Sequence, residues 1–301
     1  MNKFILAILF ISILFNVIGL FIAYKYYNLN REKNGLYNNL KESETIISNL
    51  TDVSEKELTY RLVFLHHSVG KGILEEGKLK DSLIKMGIAV KSLTYGDSIG
   101  NLTDVHNWLP KFRKQMDAIL KFKNHPNVYY TDERRNDIIM FKSCFPNSDI
   151  GSDGSKPGNP LSRNRTLENY KEVFIGLGKE ISKYPSKLFI YLTFPPLVPM
   201  ETTPENAARA RSFNDWLINS YLPDYYKNYG VENFVIYDLF GVLSDEDNFL
   251  KSEYRRDNPR DSHPNKKAYQ VITQDFMAFF RPVFSKWISE QKAMSEIRNM
   301  N

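Results

Sequence analysis

Two short polar clusters, far apart in the chain, hold the residue types that acyl chemistry needs. In the first, an apolar run over residues 62–65 ends abruptly in His66-His67-Ser68-Val69-Gly70, and a helical pattern follows over residues 72–86. Strand, tight polar turn, helix is the arrangement that lifts a serine above the carboxyl edge of a parallel sheet, where it is a nucleophile if a histidine reaches it. The second cluster, Asp261-Ser262-His263-Pro264-Asn265, offers that histidine. Pro264 fixes a turn behind it and Asn265 can cap the helix that follows. Asp261 can hold one ring nitrogen, leaving the other to take the serine proton. Taken singly, Ser68 also fits a helix cap and His263 a solvated turn; the pairing is what gives them a chemical meaning.

A developing oxyanion needs donors as well. The Ser68 N–H is one candidate, and Asn147, after Phe145-Pro146, can offer its amide. A second serine competes for the nucleophile's place: Gly96-Asp97-Ser98-Ile99 nearly spells the Gly-Asp-Ser-Leu signature of a lipase-esterase family, but irregular chain with Gly100, Asn101 and Pro110 follows it instead of a helix. We read it as a turn. Lys142 and Ser143, just past the third strand, are expected to line the pocket together with His67. His66 and His67 are adjacent on a strand and so face opposite ways, which argues against a shared metal. Cys144 is the single cysteine, so no intrachain disulfide and no cysteine metal cluster is expected. Residues 149–154 faintly suggest a calcium loop, but Pro160 stands where the closing glutamate belongs. No metal and no organic cofactor is expected.

Placing the two clusters side by side requires a sizeable fold. The chain has 301 residues, 42% hydrophobic and 25% charged, enough for one generous domain and a membrane segment. Its net charge of +5 is spread among Asp and Glu, with no arginine-aromatic stripe, so no nucleic-acid partner is expected. Short apolar runs over residues 61–65, 88–93, 138–141, 188–193 and 234–237 read as strands. Helical patterns over 72–86, 108–122, 167–184, 205–221 and 266–287 separate or follow them, the last bent or broken at Pro282. This alternation argues for an α/β fold whose parallel sheet is covered on both faces, with ligands at the carboxyl ends of the strands.

Residues 4–24 are almost wholly apolar, about 30 Å as a helix, and read as an uncleaved transmembrane anchor within 1–25. Residues 26–58 are polar and read as a stalk, and the domain spans 59–301. Lys25, Arg31 and Lys33 outweigh Lys3, which by charge count favours a cytoplasmic domain. A very short tail ahead of a signal-anchor argues the other way, and a single-pass protein with an extracytoplasmic domain is the expectation.

Together the motifs resemble an SGNH (GDSL-like) hydrolase, in particular a branch with His-His-Ser-x-Gly, Phe-Lys-Ser-Cys and Asp-x-His-Pro-Asn. Here these are residues 66–70, Phe141-Lys142-Ser143-Cys144 and residues 261–265, supported by Thr193-Phe194-Pro195-Pro196 and Asn206-Ala207-Ala208-Arg209-Ala210-Arg211. The resemblance implies a flavodoxin-like three-layer sandwich and acyl-ester hydrolysis, with Ser68 as nucleophile and His263 as base. It implies oxyanion donors from the Ser68 N–H, Gly96 or Gly100, and Asn147. Arg260 stands where the superfamily places its acid, leaving Asp261, Asp257 or a backbone carbonyl to orient the ring. The third block lacks its usual glycine. An acyl ester, for instance an O-acetyl group on a polysaccharide, is the implied substrate. Transfer to a sugar acceptor and a non-catalytic tethered binding module are the alternatives.

Overall fold

The computed structural model describes residues 60–300. The apolar segment over 4–24 and the polar stalk lie outside them. The described residues belong to one compact unit within Thr51–Asn301. No helix among the described residues is long and apolar enough to cross a membrane.

Five parallel strands form the central sheet: β1 (Tyr60–Leu65), β2 (Ile88–Leu93), β5 (Ile138–Lys142), β6 (Leu188–Leu192) and β7 (Phe234–Tyr237), in the order β2-β1-β5-β6-β7. Counting only these strands, the order is 2-1-3-4-5, that of the flavodoxin-like sheet, with the reversal of direction at β1. A small antiparallel pair, β3 (Phe122–Asn124) and β4 (Val128–Tyr129), lies apart from it.

The inner strands are apolar on both faces because both are covered. One face carries Val63, Leu65, Ile139, Phe141, Phe189, Tyr191 and Phe234 into a core with Trp108 and Phe112 of α3 (Val105–Lys121) and Phe174 of α4 (Leu167–Ile181). Against the other face lie α1 (Ser68–Glu75) and the terminal helix α8 (Lys266–Met300); Tyr237 meets Phe276 edge-on at 5.1 Å. Between them run α2 (Leu79–Ile84), α5 (Pro204–Trp216), α6 (Leu222–Tyr229) and α7 (Leu239–Leu243).

Three helical expectations need correction. The single helix over 72–86 is two, α1 and α2. At Gly77 a Cβ would lie 2.5 Å from the Tyr269 carbonyl, and Lys78 turns left-handed at φ 64°, so the chain cannot continue as one rod. The helix over 205–221 instead runs on through a π turn at Leu217–Tyr221 into α6, ending at Gly230 with φ 65°. Pro223 stands just past that π turn, where Leu222 N–H reaches back to the Leu217 carbonyl and the regular ladder is already interrupted. Finally, α8 is not broken at Pro282 and runs past residue 287 to Met300. Phe280, Phe284 and Trp287 are buried on both sides of the proline, and Tyr60 of β1 meets Phe284 and Trp287 at 5.2 and 5.5 Å. That burial outweighs the ~3 kcal/mol an interior proline costs.

Gly70 shows how tightly the first turn is built. A Cβ there would fall 2.3 Å from His66 Cβ, so α1 leaves the strand end with no room for a side chain. Gly70→Ala is expected to cost roughly 1–3 kcal/mol through overpacking, seen as a lower urea midpoint by circular dichroism; an unchanged midpoint would show that the turn yields freely.

Candidate active site

Ser68 opens α1 at the carboxyl end of β1 and is exposed, although the residues on either side of it are buried. The N-cap is His67, whose side chain makes no capping bond, and the serine hydroxyl is not a cap either. It points to His263, with Oγ 2.8 Å from Nε2 across 195 residues of sequence. As at every helix start, the N–H groups of Ser68, Val69 and Gly70 find no acceptor within the helix.

His263 is held from its other side. Its Nδ1 lies 2.5 Å from Asp261 Oδ1, and its backbone N–H donates to the same oxygen at 2.9 Å. An ionised carboxylate only accepts, so the ring proton sits on Nδ1 and Nε2 is left to accept the serine proton. Burial works to raise the Asp261 carboxyl, but the two bonds from His263 and the nearby Arg256 outweigh it and hold it below the usual range. Arg256 lies 3.8 Å from Asp261 and its Nε donates to the Pro264 carbonyl at 3.2 Å, bracing both sides of the histidine turn. Phe145 meets the His263 ring edge-on at 4.8 Å. Neither Arg256 nor Phe145 was expected from the sequence, since no spacing or periodicity marks them.

Beside this triad, His66 and His67 are both bonded at both ring nitrogens. His66 Nδ1 donates to the His67 carbonyl at 2.9 Å and Nε2 accepts from Ser92 Oγ at 2.8 Å. His67 Nε2 donates to the Gly100 carbonyl at 2.9 Å; Nδ1 meets Thr103 Oγ1 at 3.1 Å and Cys144 Sγ at 3.3 Å. Tyr95 stacks on the His67 ring at 3.6 Å. Neither imidazole has a nitrogen left for a metal or substrate, and among the described residues no group of ligands could hold a metal ion. The pair is scaffolding that ties the nucleophile turn to the loop after β2.

Burial pushes the His66 imidazole down to about 4. The folded protein therefore refuses a proton that the unfolded chain accepts from about pH 6.5 downward. Stability is full above pH 6.5 and falls as the pH drops towards 4, by about 3 kcal/mol from this group. Urea titrations at a series of pH values should show this slope, and His66→Gln should flatten it; an equal slope in the variant would assign the acid sensitivity elsewhere.

Several expected site residues stand differently. Lys142 and Ser143 do not line an open pocket. Lys142 is 1% exposed and Ser143 is fully enclosed, accepting from Trp108 Nε1 at 2.8 Å on the core side. Strand alternation sends the two to opposite faces. Asn147 is buried with its amide already donating to Asp104 Oδ1 at 2.8 Å and the Cys144 carbonyl at 3.0 Å, while its oxygen accepts from Val105 N–H. It ties the start of α3 to the exit of β5 instead of presenting a free donor. The Gly100 N–H donates to the Asp97 carbonyl at 3.0 Å. Gly96 sits in an exposed left-handed turn at φ 88°. Ser98, the rival nucleophile, is exposed; its hydroxyl meets Tyr129 OH at 3.4 Å and no histidine bonds it among the described residues. The adjacent Asp97 instead takes His125 Nδ1 at 3.0 Å and the Asn127 N–H at 2.8 Å, locking that loop. Asp261, and not Asp257, is the carboxylate bonded to His263.

An exposed serine, a histidine poised on it and a carboxylate behind, on the carboxyl edge of a parallel sheet, make the constellation of a serine hydrolase. No family model and no curated protein matches the sequence. Among solved structures, the chain is similar to a provisionally assigned platelet activating factor from Streptococcus pneumonia (15% identity, TM-score 0.43, 83% of this chain and 97% of that one). It is similar also to a GDSL-like lipase from Bacteroides thetaiotaomicron (14%, TM-score 0.43, 79% and 95%). A third is a gut microbial diltiazem-metabolizing enzyme (11%, TM-score 0.44), of which the chain spans 46%.

Proposed function

We propose that this chain is a serine hydrolase of SGNH type that cleaves an acyl ester. The observation that carries the reading is the unbroken line of hydrogen bonds from Ser68 Oγ through the His263 ring to Asp261. Ser68 Oγ attacks the ester carbonyl and His263 Nε2 takes its proton. The negative charge on the carbonyl oxygen is met by the free N–H at the start of α1, with the Ser68 N–H first in place. Asp261 holds the imidazolium while His263 passes the proton to the departing alcohol. Water, deprotonated by His263 in turn, then releases the acyl group from Ser68.

The substrate we favour is an O-acetylated carbohydrate outside the cell, reached by a domain tethered through residues 4–24. Support for this is the apolar amino-terminal segment and the exposure of Ser68 on the surface. A fluorophosphonate probe tests the site. Labelling of the full chain that persists in Ser98→Ala and disappears in Ser68→Ala supports the assignment; the reverse moves the nucleophile to Ser98. An unlabelled parent protein would favour a binding module on this fold. Offering sugar acceptors to the trapped acyl-enzyme separates hydrolysis from transfer.

A further inference from the structure

Among the described residues, six side chains bury a polar atom with no hydrogen-bond partner, and only that of Lys142 carries a charge. Its position is set by register. Phe141 pairs with Leu65, so the next residue, Lys142, stands beside His66 at the carboxyl end of the sheet. Both lie on the face opposite the one carrying Leu65 and Phe141. This is the strand end from which the Ser68 turn departs. The titratable groups that feel the lysine there are His66 and His67 on that turn and Cys144 beyond its own strand; no carboxylate is among them. Burial pushes the amine down to about 8, which still leaves it mostly protonated at neutral pH.

An enclosed ammonium without a partner costs several kcal/mol, and a cation near the start of a helix is opposed by the helix dipole as well. A methionine would fill the same space at less cost. The resting protein thus holds a positive charge where only the arrival of a negative one makes it favourable. The oxyanion formed when Ser68 attacks is such a charge, and it forms at the start of α1.

We infer that Lys142 is a positioning residue of the hydrolase site, a fixed positive potential behind the Ser68 turn that favours the charge developing on the acyl oxygen. The inference rests on the Ser68–His263 reading above. The lysine touches no substrate; it acts across a low-dielectric interior, where a charge is felt over several ångströms and reorganises little during reaction. Interactions that are stronger in the transition state than in the ground state raise kcat and leave KM largely unchanged.

The test compares Lys142→Met and Lys142→Arg with the parent, in the full chain, by thermal unfolding, fluorophosphonate labelling rate and turnover of p-nitrophenyl acetate. Lys142→Met should melt higher, by at least about 3 °C, yet label and turn over at least ~10-fold more slowly, through kcat and not KM. Lys142→Arg should recover most of that rate. A structural role predicts the opposite sign for stability. A Lys142→Met protein that is less stable than the parent, or as fast, would overturn the inference. A parent that never labels would instead remove the hydrolase reading, and this inference with it.

Discussion

Ser68→Ala is expected to lower ester turnover by at least ~10³ while leaving the fold in place. The two effects separate because the hydroxyl has one partner, His263 Nε2, and caps nothing; the N-cap position belongs to His67. An exposed residue of that kind shifts stability by no more than about 0.5 kcal/mol when replaced. His263→Ala should cost about as much, and the double variant little more than either single one, because nucleophile and base act as a unit. Turnover of p-nitrophenyl acetate alongside the far-ultraviolet spectrum checks all three. A Ser68→Ala protein retaining a tenth of parental turnover would show that another group carries the attack.

Asp261→Ala is the second large effect, and it should fall short of the first by roughly 10²-fold. The carboxylate does two things at once. It accepts the Nδ1 proton, which fixes the tautomer that leaves Nε2 free, and it accepts the His263 N–H, which fixes the turn. Losing it frees the ring to rotate and to take the other tautomer, yet Pro264 and the edge-on Phe145 still restrict where the ring can go. Turnover measured from pH 5 to 9 reads the loss. Equal turnover in Asp261→Ala and the parent would remove this carboxylate from the mechanism, and Asp257→Ala serves as the control with no expected loss.

How much of this was legible from the chain depends on the range of the interaction. Each strand of the central sheet announces itself as a compact apolar run between polar turns, and those five fall within a residue of where the pattern puts them, whereas the short β3 and β4 carry no such run. The conspicuous residues of the two polar clusters are likewise local signals, and the structure brings Ser68, His263 and Asp261 together. Direction is what a motif does not reveal. Lys142 and Ser143 follow a strand end, and that alone suggested a pocket lining, but the pleat turns one under the Ser68 turn and the other into the Trp108 core. Asn147 has the right type for an oxyanion donor, and only the tertiary fold shows its amide held by Asp104. Arg256 braces Asp261 through a loop of no regular period, so nothing in its neighbourhood marked it in advance.

The nucleophile and its base are 195 residues apart in sequence. Ribosomes add roughly 5–20 residues per second, so the serine emerges on the order of 10–40 s before the imidazole it bonds to. Throughout that interval the nascent chain carries a strand, a turn and an inert alcohol. Catalytic power would arrive in one step, when the carboxyl-terminal helix docks on the sheet and delivers the turn ahead of it. A chain cut short anywhere before Asp261 would be silent, so activity would report completion of the whole domain.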